Sequence, residues 1–154
     1  MSKVEAMTAD SHLNPKALAL LADIRGDHEK LPPMWAMLGV TAVEFEPRHI
    51  ALQACADERH INAFGGVHGG YAAALLDTAL GLTIFISIDE SSRHTTVDLS
   101  VKIVKAIPTH VPLTVKTELV HVSRRIGVSQ GVLTGQDGTV FAHGTTTCHI
   151  KPGR

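Results

Sequence analysis

The stretch Asn62-Ala-Phe-Gly-Gly-Val-His-Gly-Gly-Tyr-Ala-Ala-Ala-Leu-Leu-Asp77 decides the fold, because it joins a glycine-rich turn directly to an apolar segment. That segment, residues 71–88, contains a single charged side chain, Asp77. Its length and composition predict a helix that is buried on nearly all sides. The rest of the chain must therefore enclose this central helix.

Gly69 and Gly70 stand where the predicted helix begins. The first backbone N–H groups of a helix have no acceptor within the helix, and glycine leaves them uncovered by a side chain. Amides in this position bind anions and stabilise the oxyanions that form during catalysis. The turn is therefore a candidate oxyanion site.

Asp77 lies eight residues after Gly69, which corresponds to about 12 Å along a helix axis. One helix cannot bring both groups to the same reacting atom. Two antiparallel helices related by a two-fold axis can do so, because each places its Asp77 beside the other's glycine turn. We therefore expect a homodimer with shared sites. The alternative, a solvated surface carboxylate, is disfavoured by the apolar flanks.

Strand patterns surround the helix and predict the fold class. Residues 40–45 and 49–55 predict a hairpin, and four further segments predict strands that continue as a meander. Those segments are residues 95–103, 113–122, 126–133 and 139–150. Five to six antiparallel strands wrapped around one long helix make an α+β fold. Residues 34–154 form this domain, and residues 1–33 are predicted to be an N-terminal extension with a short helix.

The strand at residues 95–103 alternates between apolar and polar side chains. This period predicts that one face packs on the core and the other meets a polar environment. The apolar set is Val97, Leu99, Val101 and Ile103, and the polar set is Thr96, Asp98 and Ser100.

Composition excludes several classes of protein. A net charge of −1 with a pI near 6.8 gives no basic surface for nucleic acid. The central Asp77 argues against a membrane span, and the N-terminus does not have the pattern of a signal peptide. No His-Glu-x-x-His or Cys-x-x-Cys motif predicts a metal site. Cys55 and Cys148 are isolated, which predicts buried free thiols in a cytoplasmic protein.

The motif Asn-x5-His-Gly-Gly-x6-Asp over residues 62–77, followed by Thr-x-Asp-Leu at residues 96–99, resembles a known group of enzymes. These are the hotdog-fold acyl-CoA thioesterases of the PaaI-like and 4-hydroxybenzoyl-CoA type. The resemblance extends from about residue 38 to residue 150. It implies a hotdog fold, a dimer or tetramer, and hydrolysis of an acyl-CoA at the dimer interface.

The resemblance also implies roles for individual residues. In that family the asparagine holds the thioester or water, the His-Gly turn polarises the carbonyl, and the helical acid acts as base or nucleophile. Asn62, His68, Gly69 and Asp77 are accordingly candidate catalytic residues, with Thr96 as a supporting hydroxyl. Gly70 is a candidate substrate-binding residue.

Two departures from the family pattern concern the binding of CoA phosphates. Family members commonly have a proline soon after the asparagine, where this chain has Ala63-Phe64. They also have an Arg-Pro pair at the end of the long strand, where this chain has Lys105-Ala106-Ile107-Pro108. The pair Arg124-Arg125, in a predicted turn, is then the best candidate for phosphate binding, with a solvated turn as the alternative.

The leading hypothesis is therefore an acyl-CoA thioesterase that needs no metal and no cofactor besides the CoA of its substrate. Two other functions are compatible with a hotdog fold. One is a non-hydrolytic acyl-CoA-binding or sensing protein, which would not need Asp77 and Asn62. The other is a hydratase or dehydratase, which usually has its histidine in a different context. The acyl group itself is not predicted by the sequence.

Overall fold

A computed structural model describes residues 13–26 and 28–153 of the chain. Its helices are α1 (Pro15–Gly26), α2 (Pro33–Met37) and α3 (Gly69–Phe85), with short 3-10 turns at His28–Lys30 and Glu58–His60. Its strands are β1 (Val40–Glu46), β2 (His49–Cys55), β3 (Arg93–Ile103), β4 (Pro112–Val122), β5 (Ile126–Gly135) and β6 (Val140–Lys151). The predicted α+β architecture, one long helix and an antiparallel sheet, is confirmed.

The described strands form one six-stranded sheet in the order β1-β2-β4-β5-β6-β3. The predicted β1–β2 hairpin and the β4–β5–β6 meander are confirmed. The prediction that β3 continues into this meander is wrong, because β3 pairs with β6 and β2 pairs with β4. The reason is α3, whose 17 residues carry the chain about 25 Å across the sheet before β3 begins.

Three glycines allow the sheet to close tightly on one ridge of α3. Residues four apart on a helix form such a ridge, and here the ridge is fully buried. A Cβ on Gly127 would lie 2.7 Å from the Ile84 side chain. A Cβ on Gly131 would lie 3.3 Å from Leu80, and one on Gly144 would lie 3.5 Å from Leu76.

The opposite side of α3 is not covered by the sheet. Ten residues of the helix are buried, whereas an uncovered stripe along it is exposed or half-buried. The uncovered stripe consists of Gly70, Ala73, Ala74, Asp77 and Thr78. Asp77 is therefore the charged residue of a helix face that is otherwise made of small side chains.

The strand β3 lies at one edge of the sheet and has apolar side chains in solvent. Within the described chain its second edge has no partner strand. Val97 is 62% exposed and Ile103 is 50% exposed. A long edge strand with exposed apolar residues is a surface on which another chain can pair.

A β-bulge at Val97 changes which side chains of β3 face the helix. The register with β6 shifts directly after Thr96, so Val97 has no Cα partner. Thr96 then reaches Asp77 on α3, while Ile103 packs at the start of the same helix. The sequence predicted Thr96 on the strand face opposite the apolar side chains. This prediction is wrong, because the extra residue of the bulge reverses the alternation of side chains between the two faces.

The N-terminal helix is tied to α3 by Asn14. Its Oδ1 accepts the Lys16 N–H at 2.9 Å, which caps α1, the short N-terminal helix that the sequence predicted. Its Nδ2 donates to the Phe85 carbonyl at 3.1 Å, and its backbone N–H donates to the Ile86 carbonyl at 2.9 Å. One fully buried side chain thus satisfies the beginning of α1 and the end of α3.

Replacing Gly131 with alanine should destabilise the fold. The new Cβ would lie 2.9 Å from the Lys116 carbonyl oxygen and 3.0 Å from the Thr117 Cγ2 atom. Because the first contact is with backbone, we expect a loss of about 1–3 kcal/mol in the free energy of unfolding. Urea denaturation measures this loss. Gly66→Ala is the control, since its Cβ would meet nothing within 4 Å, and equal stability of the two variants would contradict the packing argument.

Candidate active site

The loop that precedes α3 is closed by Asn62. Its Oδ1 accepts the Phe64 N–H at 2.8 Å and the Gly66 N–H at 3.3 Å, and its own N–H donates to the Gly66 carbonyl at 2.8 Å. The side-chain Nδ2 donates to no residue in the part of the chain that the structure describes. Asn62 therefore shapes the loop with its oxygen and keeps two N–H donors for another group.

His68 caps the N-terminus of α3. Its Nδ1 accepts the Gly70 N–H at 2.8 Å. A ring nitrogen that accepts a hydrogen bond carries no proton, so the neutral imidazole has its N–H at Nε2. The capping contact fixes this tautomer and leaves Nε2 as a donor. Its predicted role in polarising a carbonyl stays a prediction.

The two glycine amides at the start of α3 differ. The expectation that both are free is wrong for Gly70, because the His68 ring takes its N–H. The Gly69 N–H has no acceptor among residues 13–26 and 28–153, and this glycine is half-buried. A Cβ on Gly69 would lie 2.9 Å from the Ile103 Cδ1 atom. Gly69 is thus the candidate oxyanion donor, and Gly70 retains only a predicted binding role.

Asp77 lies about two turns further along α3, on the uncovered stripe. The Thr96 hydroxyl donates to its Oδ1 at 3.1 Å, and the same hydroxyl lies 3.7 Å from the Cys148 Sγ atom. Burial raises the pKa of the Cys148 thiol, so this neighbour is neutral. No described residue forms an ion pair with Asp77 or a hydrogen bond to its Oδ2. That oxygen is available to accept a proton or to attack a carbonyl.

His94 lies at the same site but was not among the predicted site residues. Its Nε2 lies 3.6 Å from the place that a Cβ of Gly81 would occupy, and its ring stacks on Phe85 with centroids 5.8 Å apart. Burial lowers the pKa of His94, although the charge of Asp77 opposes that effect. The sequence did contain a signal for His94. It lies two residues before Thr96, and residues two apart in a strand have their side chains on the same face.

The structure does not bring Arg124 and Arg125 to the glycine turn. Both are exposed in the turn between β4 and β5. Arg124 borders a hollow of about 540 Å³ that is also lined by Ser87 and Asp89, just beyond the C-terminal end of α3. The arginine pair and Gly69 thus lie at opposite ends of the helix within one chain.

The described residues show no arrangement that would hold a metal ion, since no three His, Cys, Asp or Glu side chains form a suitable group.

Cys55 and Cys148 are free thiols, as predicted. Only Cys148 is buried, whereas Cys55 is half-buried because it lies at the end of β2. No helix in residues 13–26 and 28–153 has the length and apolar character needed to cross a membrane.

The fold is similar to that of solved thioesterases. A thioesterase from Haemophilus influenzae matches with 18% identity and a TM-score of 0.73 over 81% of this chain and 87% of its own. A thioesterase variant from Pseudomonas aeruginosa matches with 19% identity and a TM-score of 0.74 over 90% and 95%. A hypothetical thioesterase from Streptococcus pneumoniae, crystallised with coenzyme A, matches with 27% identity and a TM-score of 0.66 over 73% and 87%. The predicted hotdog fold is confirmed.

A family model extends this similarity to the sequence. No curated protein sequence matches the chain. The family described as the acyl-CoA thioesterase N-terminal domain matches residues 58–149, which include the glycine turn, α3 and most of the sheet. The predicted enzyme class, an acyl-CoA thioesterase, is thereby confirmed. The chain belongs to the acyl-CoA thioesterase N-terminal domain family.

Proposed function

We propose that two copies of this thioesterase form shared active sites in which Asp77 of one subunit acts on a thioester held by the other. The observation that carries this proposal is the placement of Gly69 and Asp77 on one helix. The unpartnered Gly69 amide and the open Asp77 carboxylate are separated by about 12 Å along the axis. A thioester carbonyl extends only about 1.2 Å from carbon to oxygen, so one chain cannot contact it from both sides.

Two surfaces of the chain support a dimer of this kind. The edge of β3 has no partner within the described chain, and its exposed Val97 favours association with another strand. The uncovered stripe of α3 is made mostly of glycine and alanine, which permits the close approach of a second helix. If these helices run antiparallel about a two-fold axis, each Asp77 lies beside the partner's Gly69.

The hydrogen bonds of each group support the part of the reaction that we propose for it. The Gly69 N–H, the Asn62 Nδ2 and the His68 Nε2 donate to the carbonyl oxygen of the thioester and stabilise the charge that grows on it. Thr96 holds Oδ1 of Asp77, so that Oδ2 either takes a proton from water or attacks the carbon. The C–S bond then breaks, CoA leaves as a thiolate, and a proton from solvent neutralises it. After direct attack, water hydrolyses the mixed anhydride on Asp77, which releases the acid and restores the carboxylate.

The antiparallel arrangement also gives Arg124 and Arg125 a function. Arg124 lies beside Ser87, just beyond the C-terminal end of its own α3, and the partner's glycine turn would lie beside Asp77, about 15 Å from Ser87 along the axis. A guanidinium pair there binds the phosphates of a CoA whose thioester enters the shared site.

The free thiols of Cys55 and Cys148 are consistent with a cytoplasmic, reducing environment for the enzyme.

Asp77→Asn should remove most of the turnover and leave binding largely intact. Asparagine keeps the shape and the Thr96 contact but can neither accept a proton readily nor attack a carbonyl. We expect kcat to fall by roughly 10²–10⁴-fold with little change in KM. The measurement is release of free thiol from short, medium, long-chain and aromatic acyl-CoAs.

The matched control is Asp23→Asn, which changes an exposed carboxylate on α1. It should keep wild-type turnover. Activity of Asp77→Asn within a few-fold of wild type would show that Asp77 is structural and would overturn the proposed mechanism. An acyl-enzyme detected by mass spectrometry would favour attack by Asp77 over its action as a base.

Asn62→Ala should cost less than Asp77→Asn, because the Asn62 amide carries no charge. The loss of one neutral hydrogen bond should lower transition-state stabilisation by about 0.5–1.5 kcal/mol, measured from kcat/KM. The variant also loses the two contacts that close the loop, so its melting temperature should fall as well.

Asn62→Asp separates these two effects. Aspartate keeps an oxygen for the Phe64 and Gly66 amides but has no Nδ2 donor. It should retain the wild-type melting temperature and lose at least as much activity as Asn62→Ala. Wild-type activity in Asn62→Asp would show that Nδ2 does not contact the substrate.

A further inference from the structure

We propose that His60 is a positioning residue, which holds the three donors of the proposed site where they can meet one carbonyl oxygen. Those donors are the Asn62 Nδ2, the His68 Nε2 and the Gly69 N–H. This inference rests on the proposed function and deepens it, because it names the contact that orients the glycine turn. His60 itself does not touch the substrate.

The loop between His60 and His68 is closed upon itself. Its two ends meet, because the His68 N–H donates to the His60 carbonyl at 2.8 Å. Between these ends the chain forms a β-bridge. In the part of the chain that the structure describes, the hydrogen bonds of residues 61–67 all stay within residues 58–68. The loop therefore forms one unit, and its position depends on how its ends are held.

The His60 ring ties this loop to α2. Its side chain is only 7% exposed. Nε2 lies 2.7 Å from the Met37 carbonyl oxygen, and since a carbonyl can only accept, this nitrogen carries the proton. Nδ1 accepts the Asp57 N–H at 2.9 Å. The second bond stays within the short 3-10 turn and its cap, whereas the first reaches the last residue of α2.

A contact between rings connects His60 to the first turn of α3. The His60 and Tyr71 rings have centroids 4.4 Å apart at an angle of 52°. The Tyr71 N–H donates to the His68 carbonyl at 2.9 Å, and its hydroxyl donates to the Leu38 carbonyl at 3.0 Å. Because that carbonyl directly follows the one that binds His60, both rings are anchored at the same point. The start of α3 is thus held in register with the loop.

The orientation of the loop decides how well the donors work. The apolar contact of Val67 with the core is not directional, so it does not fix how the loop is turned. A donor stabilises the growing oxyanion only when it points to the place of that oxygen in the transition state. A misplacement of about 1 Å can cost about a hundredfold in rate. Loss of the Met37 bond should therefore lower kcat much more than it raises KM.

Two substitutions of His60 separate the functions of its nitrogens. Glutamine places an amide N–H near the position of Nε2 and keeps the Met37 bond, whereas asparagine places its oxygen near Nδ1 and keeps only the Asp57 bond. Both lose the ring contact with Tyr71, so this loss cancels in the comparison. We expect kcat within about threefold of wild type for His60→Gln and a fall of about tenfold or more for His60→Asn. KM should change less than about twofold in both.

The matched control is His110→Asn. The His110 Nε2 lies 2.6 Å from the Glu58 Oε1 on the same 3-10 turn, and this histidine has no hydrogen bond to the loop among the described residues. Its φ is +57°, which asparagine tolerates. It should keep wild-type kcat. If His60 only stabilises the turn, His60→Asn should be at least as active as His60→Gln, and that result would contradict the proposal.

A double-mutant cycle shows whether His60 acts through the donors. Asn62→Asp removes the Nδ2 donor and keeps the oxygen that closes the loop. If His60 positions that donor, His60→Asn should lower kcat by a factor about threefold smaller in the Asn62→Asp chain than in the wild type. Equal factors in both chains would mean that His60 acts independently of Asn62, as a purely structural residue does, and would overturn the proposal.

Circular dichroism at the assay temperature establishes that each variant is folded. Should His60→Asn not fold, His60→Phe replaces it in both comparisons, because phenylalanine keeps the ring contact with Tyr71 and loses the Met37 bond. The same fall in kcat is expected, and wild-type kcat would contradict the proposal.

The outcomes also separate this proposal from the proposed function. If Asp77→Asn is inactive while folded His60 variants all keep wild-type kcat, His60 does not position the donors and the proposed function stands. If Asp77→Asn keeps its activity, the proposed function fails first, whatever the His60 variants show.

Discussion

Three side chains of α3 rest almost on the backbone of β5 and β6, because the strands carry glycine where the ridge of the helix lies. A side chain at Gly131 would collide with the backbone of β4. Because the ridge of the helix packs directly on the strands, separating the helix from the sheet would lose dispersion contacts. This contact sets the depth at which the helix is buried. It also sets which face of α3 is left uncovered, and that face bears Asp77.

The uncovered face holds one half of the proposed reaction site at its start and the other half near its middle. At one end, the Gly69 amide has no acceptor among the described residues. Near the middle, the Asp77 carboxylate has a hydroxyl donor and no described cation. An unpaired donor and an unpaired carboxylate are costly to cover without partners. In the proposed dimer, a second copy and a thioester would supply those partners, so shared sites would account for both features.

Local chemistry could be predicted from the sequence to a large extent. The predicted β1–β2 hairpin and the central helix are both present, and the lone charge of the apolar run identified Asp77 as a candidate. The α+β class followed from the strand patterns, and the hotdog fold followed from the resemblance of the motif to a known family. These features depend on neighbours in the chain, so they are visible in the order of residues.

The remaining features depend on pairing between distant segments. The bulge at Val97 arises from the register of β3 against β6, and no local pattern specifies it. It brings Thr96 onto the helix side, and with it His94, which the predicted site lacked. The loss of the Gly70 amide likewise depends on a rotamer of His68 that caps the helix. Sequence therefore indicated the candidate reacting groups but not the contacts that orient them.

The central claim is that each active site takes Asp77 from one subunit and Gly69 from the other. The most direct measurement is the activity of purified heterodimers that combine an Asp77→Asn chain with a Gly69→Val chain. Shared sites predict about half of wild-type turnover, because one of the two sites then has both native residues. If such heterodimers are folded yet no more active than either parent homodimer, the two residues do not act in a shared site.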